Sequence, residues 1–201
     1  KISELQILDF IRYKKIDIEE IDLTGFKVNY LINANTKEPE HKNTLFLHNL
    51  FSDQFQGANV GTIRLNAEAL RIFHVDNKDS AFFEIDTVQL LIKDITMNPE
   101  TIKKSIPVDF KDIQIKTGHF TLNSMKYYSI FTAEVYFDIA ESYLKIDGFR
   151  LIPKLSKAEY NRKISYNNDW FSIATQSIKL NGLNIEDFAN NGMLSFSSLQ
   201  I

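Results

Sequence analysis

Four histidines are the side chains best suited to metal ligation or acid–base work, and they are spread out. His41, His48, His74 and His119 fall in separate segments with no paired ligand spacing. A zinc site draws its donors from converging His, Cys or carboxylate groups, and this chain has no cysteine, so no metal site is expected. Residues 76–84 carry acidic spacing reminiscent of a calcium loop, but Lys78 stands at a ligand position and the loop glycine is missing. Glu19-Glu20 and Glu186-Asp187 are read as solvent-facing charges. No G-x-S-x-G, P-loop or G-x-G-x-x-G motif is present. The expectation is a non-enzymatic chain without a cofactor. A glycan-acting enzyme is kept as the third reading, because glycosidase carboxylate pairs can be distant in sequence.

Elements able to position any site must come from a chain of 201 residues that is 44% hydrophobic and carries 16 Phe and 8 Tyr. Such a chain has room for one large β-rich domain or two small ones, and with no linker separating domains cleanly it is expected to fold as a single domain spanning 1–201. A net charge of −3 and a pI near 5.8 provide no field for a phosphate backbone, so no nucleic-acid partner is expected. Without cysteines there is no disulfide framework. No run reaches the roughly 20 apolar residues of a membrane helix. Opening at Lys1 and stopping at Leu199-Gln200-Ile201 in a strand-like pattern, the chain reads as a fragment of a longer one.

Hydrophobic spacing divides it further. Leu5, Leu8 and Ile11 predict a short helix over 3–13. Period two then takes over. Ile16, Ile18, Ile21 and Leu23, then Phe26, Val28 and Tyr30, alternate with polar residues as half-buried strands do. The same alternation predicts strands over 63–73, 83–95, 108–122, 131–139, 143–151 and 171–185. Polar stretches at 33–43, 52–61 and 75–80 are expected as loops. Asn98-Pro99-Glu100 predicts a single helical turn, and Ser156 with Glu159 forms a capping box that predicts a helix from Lys157 to Lys163.

A degenerate repeat underlies the strands. Residues 21–28 (IDLTGFKV), 144–151 (LKIDGFRL) and 178–185 (IKLNGLNI) share one order: apolar, polar, apolar, polar, Gly, apolar, polar, apolar. Gly118 stands in a related segment with one residue inserted. In a regular strand the apolar positions before and after the glycine would face opposite sides, so Gly25, Gly148 and Gly182 are expected at bulges that reset the phase. A hairpin turn at each glycine is the alternative. Either gives an antiparallel, repeat-built sheet with one apolar face, as a curled groove or a sandwich. Tyr127-Tyr128, Phe131, Phe149 and Trp170-Phe171 are read as core, and the basic stretch at 154–163 with Lys126 as a solvated helix face.

With these I-x-L-x-G-φ-x-I octets, the chain resembles the AsmA-like, TamB-related bacterial envelope proteins. Segment 149–164 (FRLIPKLSKAEYNRKI) followed by 168–173 (NDWFSI) is similar to a segment of uncharacterised members. The resemblance implies a periplasmic β body, anchored in the inner membrane through a segment outside this fragment, and a role in lipid movement or outer-membrane biogenesis; it transfers no catalytic residue. The leading expectation is therefore an apolar sheet face that shields or conducts lipid, lined by Ile21, Leu23, Phe26, Leu144, Ile146, Phe149, Ile178, Leu180 and Leu183 in one continuous concave surface. The competing expectation is a closed β-sandwich scaffold or protein-binding module in which the same stripe is interior.

Overall fold

The computed structural model describes residues 2–5, 14–32, 56–74, 81–103, 108–123, 126–163, 169–185, 187 and 192–201. All its strands belong to one twelve-stranded sheet. They are β1 (Ile2–Leu5), β2 (Lys15–Ile32), β3 (Gly57–His74), β4 (Phe83–Ile85), β5 (Val88–Met97), β6 (Asp112–Thr117), β7 (Phe120–Leu122), β8 (Tyr128–Thr132), β9 (Glu134–Asp138), β10 (Tyr143–Pro153), β11 (Ile173–Asn181) and β12 (Ser198–Gln200). One short helix, α1 (Lys157–Lys163), joins β10 to β11.

Several short strands are halves of longer ones. β3 pairs with β5 from Ala58↔Met97 to Ala67↔Val88, then with β4 from Leu70↔Ile85 to Ile72↔Phe83, all in one register. β6 and β7 lie end to end opposite β9 and β8 in the same way, and β10 runs the length of both β9 and β8. With the halves joined, the sheet is an antiparallel meander from β3 to β12 in which sequence neighbours are spatial neighbours. β2 is the exception, pairing with β3 in parallel over nearly its whole length.

The interruptions fall in line. Gly25 in β2, Asp86-Thr87 between β4 and β5, Gly118-His119 between β6 and β7, Ala133 between β8 and β9, and Gly148 in β10 form one seam across the strands. A second seam passes through Gly61, Asp94 and Gly182, where Asp94 and Gly182 have φ of 52° and 65°. Apolar spacing changes at each seam: Ile18 and Ile21, Val60 and Ile63, Ile92 and Ile95 are three residues apart, where a regular strand would place them on opposite faces. Across the second seam Leu180 and Leu183 are both buried, 7% and 6% exposed.

The expected bulge therefore needs correction. Gly25 and Gly148 adopt positive φ (72° and 63°) on the first seam, whereas Gly182 lies on the second, so the three are not equivalent. Only at Gly25 does the register shift. Around Gly148 it is unchanged, Asp147↔Glu134 on one side and Arg150↔Phe131 on the other. Irregularities in β2 and β10 and the breaks between β4 and β5, β6 and β7, and β8 and β9 share one line, and pairing resumes in register beyond it. Gly61 serves a different constraint: a Cβ there would lie 2.7 Å from the Glu19 carbonyl oxygen, closer than the parallel β2–β3 pairing can allow.

Other expectations divide similarly. The predicted helix over 3–13 is overturned in its first turn, since Ile2–Leu5 pairs antiparallel with β2; helical spacing in so short a stretch is overridden when a sheet edge offers backbone partners. Residues 6–13, 33–43 and 75–80 lie outside the described residues. Of the loop expected at 52–61, residues 57–61 belong to β3, because glycine admits close pairing as readily as a turn. The turn after Asn98 is present: its side-chain carbonyl accepts from the Glu100 and Thr101 amides at 2.8 and 2.9 Å, opening the 3-10 turn Thr101–Lys103. The capping box also forms as predicted. The Ser156 amide and hydroxyl donate to Glu159 Oε2 at 3.0 and 2.6 Å, while the Glu159 amide donates to Ser156 Oγ at 3.3 Å.

Two outcomes follow. Gly148→Val should cost about 1–3 kcal/mol in urea unfolding, because the side chain is strained at positive φ and its Cβ would meet Ala133 Cβ at 2.9 Å. Gly25→Val should cost less, since the nearest atom there is a Glu68 carboxylate oxygen at 4.0 Å; equal losses would contradict the packing contribution. Hydrogen bonds from Ser156 hold the Glu159 carboxyl below the usual carboxylate range. Its contribution is then present above the unfolded value and lost as pH falls through the lowered one. Amide-exchange protection factors in α1, corrected for the intrinsic pH dependence of exchange, should fall on acidification, and Glu159→Gln should flatten that dependence.

Candidate functional site

Directly opposed residues in paired strands share a face, so the registers assign each side of the sheet. Between the seams one row runs Leu23, Leu65, Leu90 and Ile115, and continues as Phe137, Leu144, Leu180 and Leu199. A parallel row contains Ile21, Ile63, Ile92 and Ile113. Beyond the first seam the apolar row is Tyr30, Ile72, Phe83, Leu122, Ile130, Leu151 and Ile173. Period-two alternation on every strand is what separates these rows from their polar counterparts.

The opposite face between the seams is polar. One row there reads Thr24, Asn66, Gln89 and Lys116, then Tyr136, Lys145, Lys179 and Gln200. Ion pairs stitch it across strands, Arg64 with Glu20, Lys93 Nζ with Asp112 at 2.9 Å and Lys116 Nζ with Glu134 at 3.0 Å, and along β10, where Lys145 Nζ meets Asp147 at 2.6 Å. The last contact pushes the Lys145 ammonium above its ordinary range and holds the Asp147 carboxyl below its own. Asp138, almost wholly buried, accepts from the Tyr136 hydroxyl and the Glu141 amide, both at 3.0 Å. Burial, then that bond to Asp138, pushes the Tyr136 phenol up.

Two of the depressions lined by described residues bear on a site. One, about 460 Å³, lies on the first seam and is lined by Gly148, Ala133, Ala174, Arg150 and His119 among others. The second, about 300 Å³, lies on the polar face around Asn66, Gln89, Gln114 and Tyr136. Neither assembles a nucleophile beside a base. Among the described residues no three His or carboxylate groups converge as metal ligands, and His119 Nδ1 lies 3.7 Å from the Asp86 carboxylate. No described helix is long and apolar enough to cross a membrane.

Of the residues singled out in sequence, Leu144 pairs directly with Leu180 and Ile146 with Ile178, so four members stand side by side. Leu23 shares the row of Leu144 and Leu180 but lies at the far end of the sheet, with β3 and the joined strands between, while Ile21 stands in the separate row through Ile63, Ile92 and Ile113. Phe26 and Phe149 fall beyond the first seam and Leu183 beyond the second. The octets were expected in neighbouring repeats; only the second and third are neighbours, and they run antiparallel, so Gly148 lies opposite Gln176 rather than Gly182. Sequence reasoning missed the members contributed by β3 and β5, which lack the octet glycine, and by β6, whose Gly118 comes one residue late; all three advertise the face through alternation.

The face is half-open. Among the described residues, few apolar side chains are fully buried, and Leu23 and Ile173 at its two ends remain 48% and 45% exposed. The expected core aromatics also divide: Phe131 and Phe149 are half-buried in the sheet, whereas Trp170 and Phe171 are 36% and 43% exposed. If Asp138 is a fixed acceptor, Tyr136→Phe should cost about 1–3 kcal/mol in chemical denaturation by leaving a buried carboxylate oxygen without its donor. An unchanged midpoint would show that the bond carries no net stability.

Comparison with known protein families, with curated proteins and with solved structures yields no match.

Proposed function

We propose that the chain is a non-enzymatic binding scaffold whose working surface is the apolar face of the sheet, and that this face takes an apolar protein surface. One observation carries the reading: on strand after strand one side is apolar and half-exposed while the other is hydrogen-bonded and charged. Soluble monomers rarely leave broad contiguous apolar surface uncovered, and such surface marks an interaction site. β2 beyond Ile21 adds a backbone edge with no strand partner among the described residues, flanked by exposed Tyr30 and Leu31. That edge suits strand addition by a protein.

A second reading is supported by the continuity of the rows. Apolar residues stand opposite one another from β2 to β12 without a polar break in the row through Leu90 and Leu144. An unbroken stripe would shield or pass acyl chains, in keeping with the resemblance to AsmA-like envelope proteins, a periplasmic location and an inner-membrane anchor.

Photo-crosslinking probes at Phe149, on the apolar side, and at Lys145, on the polar side, distinguish these outcomes. Labelling of protein from Phe149 alone is the expected result. Labelling of lipid from Phe149 alone would favour the second reading. Equal labelling from both positions, or none from either, would remove the apolar face as the working surface.

A further inference from the structure

The sheet end capped by α1 combines features that the apolar face does not use. α1 is seated by Tyr160, 4% exposed, whose ring meets Tyr127 and Tyr128 edge-on at 5.6 and 6.3 Å. Phe171 stacks on Tyr128 at 5.0 Å, and Trp170 Nε1 donates to the Leu155 carbonyl at 3.0 Å. Trp170 and Phe171 are thus fixed in place, yet both remain exposed. Around them stand Lys126, 4.9 Å above the Tyr127 ring, and the exposed cations Lys154, Lys157, Arg162 and Lys163. Glu159 is the single carboxylate in 154–163, and it is engaged by Ser156. With exposed Asp169 beside Trp170 counted against these cations, a chain of net charge −3 still gathers a net positive patch at this end.

We infer that this end docks on an anionic phospholipid surface, the cations meeting headgroup phosphates while Trp170 and Phe171 enter the interfacial zone. Aromatic rings with a polar edge favour the headgroup level, and lysine or arginine stems lie along apolar matter while their charges reach phosphate. An acidic protein would satisfy the cations but gives no role to two immobilised exposed aromatics. Because the Trp170 edge is already bonded to Leu155, its apolar ring surface remains for burial. The inference stands apart from the occupant of the apolar face and needs no acyl chain there.

Trp170 is the only tryptophan, so its emission reports directly on the patch. The protein is titrated with vesicles of phosphatidylcholine and with equimolar phosphatidylcholine and phosphatidylglycerol. The expected result is a blue shift and co-sedimentation with the anionic vesicles only, reversed by about 0.5 M salt, which screens exposed charges within a few ångströms. The variant K157E/R162E/K163E should lower partitioning roughly tenfold or more. The milder K157Q/R162Q/K163Q, checked by circular dichroism, should give a smaller loss in the same direction. Equal binding to both vesicle types would overturn the inference and assign adhesion to the apolar face. Anionic-vesicle binding without a Trp170 shift, or unaffected by either variant, would overturn it too, as would capture by poly-glutamate with no vesicle binding.

Discussion

The structure depends on keeping a backbone ladder in register while the side-chain phase changes. Strand hydrogen bonds are obligatory for buried backbone groups, yet a two-residue period cannot place Ile18 with Ile21, or Leu180 with Leu183, on one face. If a single strand turned its phase alone, its neighbours would lose their opposite partners. The irregularities are instead shared, strand beside strand, so the register that holds at Asp147↔Glu134 still holds at Arg150↔Phe131. Positive φ at Gly148, Gly182 and even Asp94 is the local cost of that collective arrangement.

The remaining architecture is built on those seams. Short strands β4, β7 and β8 would be weak as independent elements, but each continues another strand across a seam, in the register of the shared partner. With sides assigned consistently, ionic stitching gathers on one face and apolar rows on the other. Half-burial of each Leu or Ile against its row neighbours contributes roughly 1 kcal/mol. Many such modest terms, added to the ladder, stand in for a deeply buried centre. That economy leaves apolar surface available to another molecule, which connects the packing to the proposed binding role.

At the α1 end, local and tertiary preferences cooperate. The capping box organises a helix too short to persist alone, and Tyr160 supplies the tertiary anchor that keeps it. The same docking holds Trp170 and Phe171 outward. In sequence these residues belong with the core aromatics, because ring content does not reveal whether a ring's neighbours cover both of its sides.

The sequence by itself determined what depends on nearest neighbours: period-two alternation locating most strands, the Ser156–Glu159 box, the Asn98 turn, and glycine at Gly25, Gly148 and Gly182 where the backbone turns to positive φ. Those signals are written into residues a few positions apart. Only the tertiary structure decided that β2 runs parallel to β3, that Ile2–Leu5 pairs as a strand, that the first octet lies far across the sheet from the other two, and that the interruptions line up. Each of these is a choice of partner between segments distant in the chain. Alternation specifies which side of a strand is apolar, but hydrogen-bond pairing between segments decides which strand lies beside it.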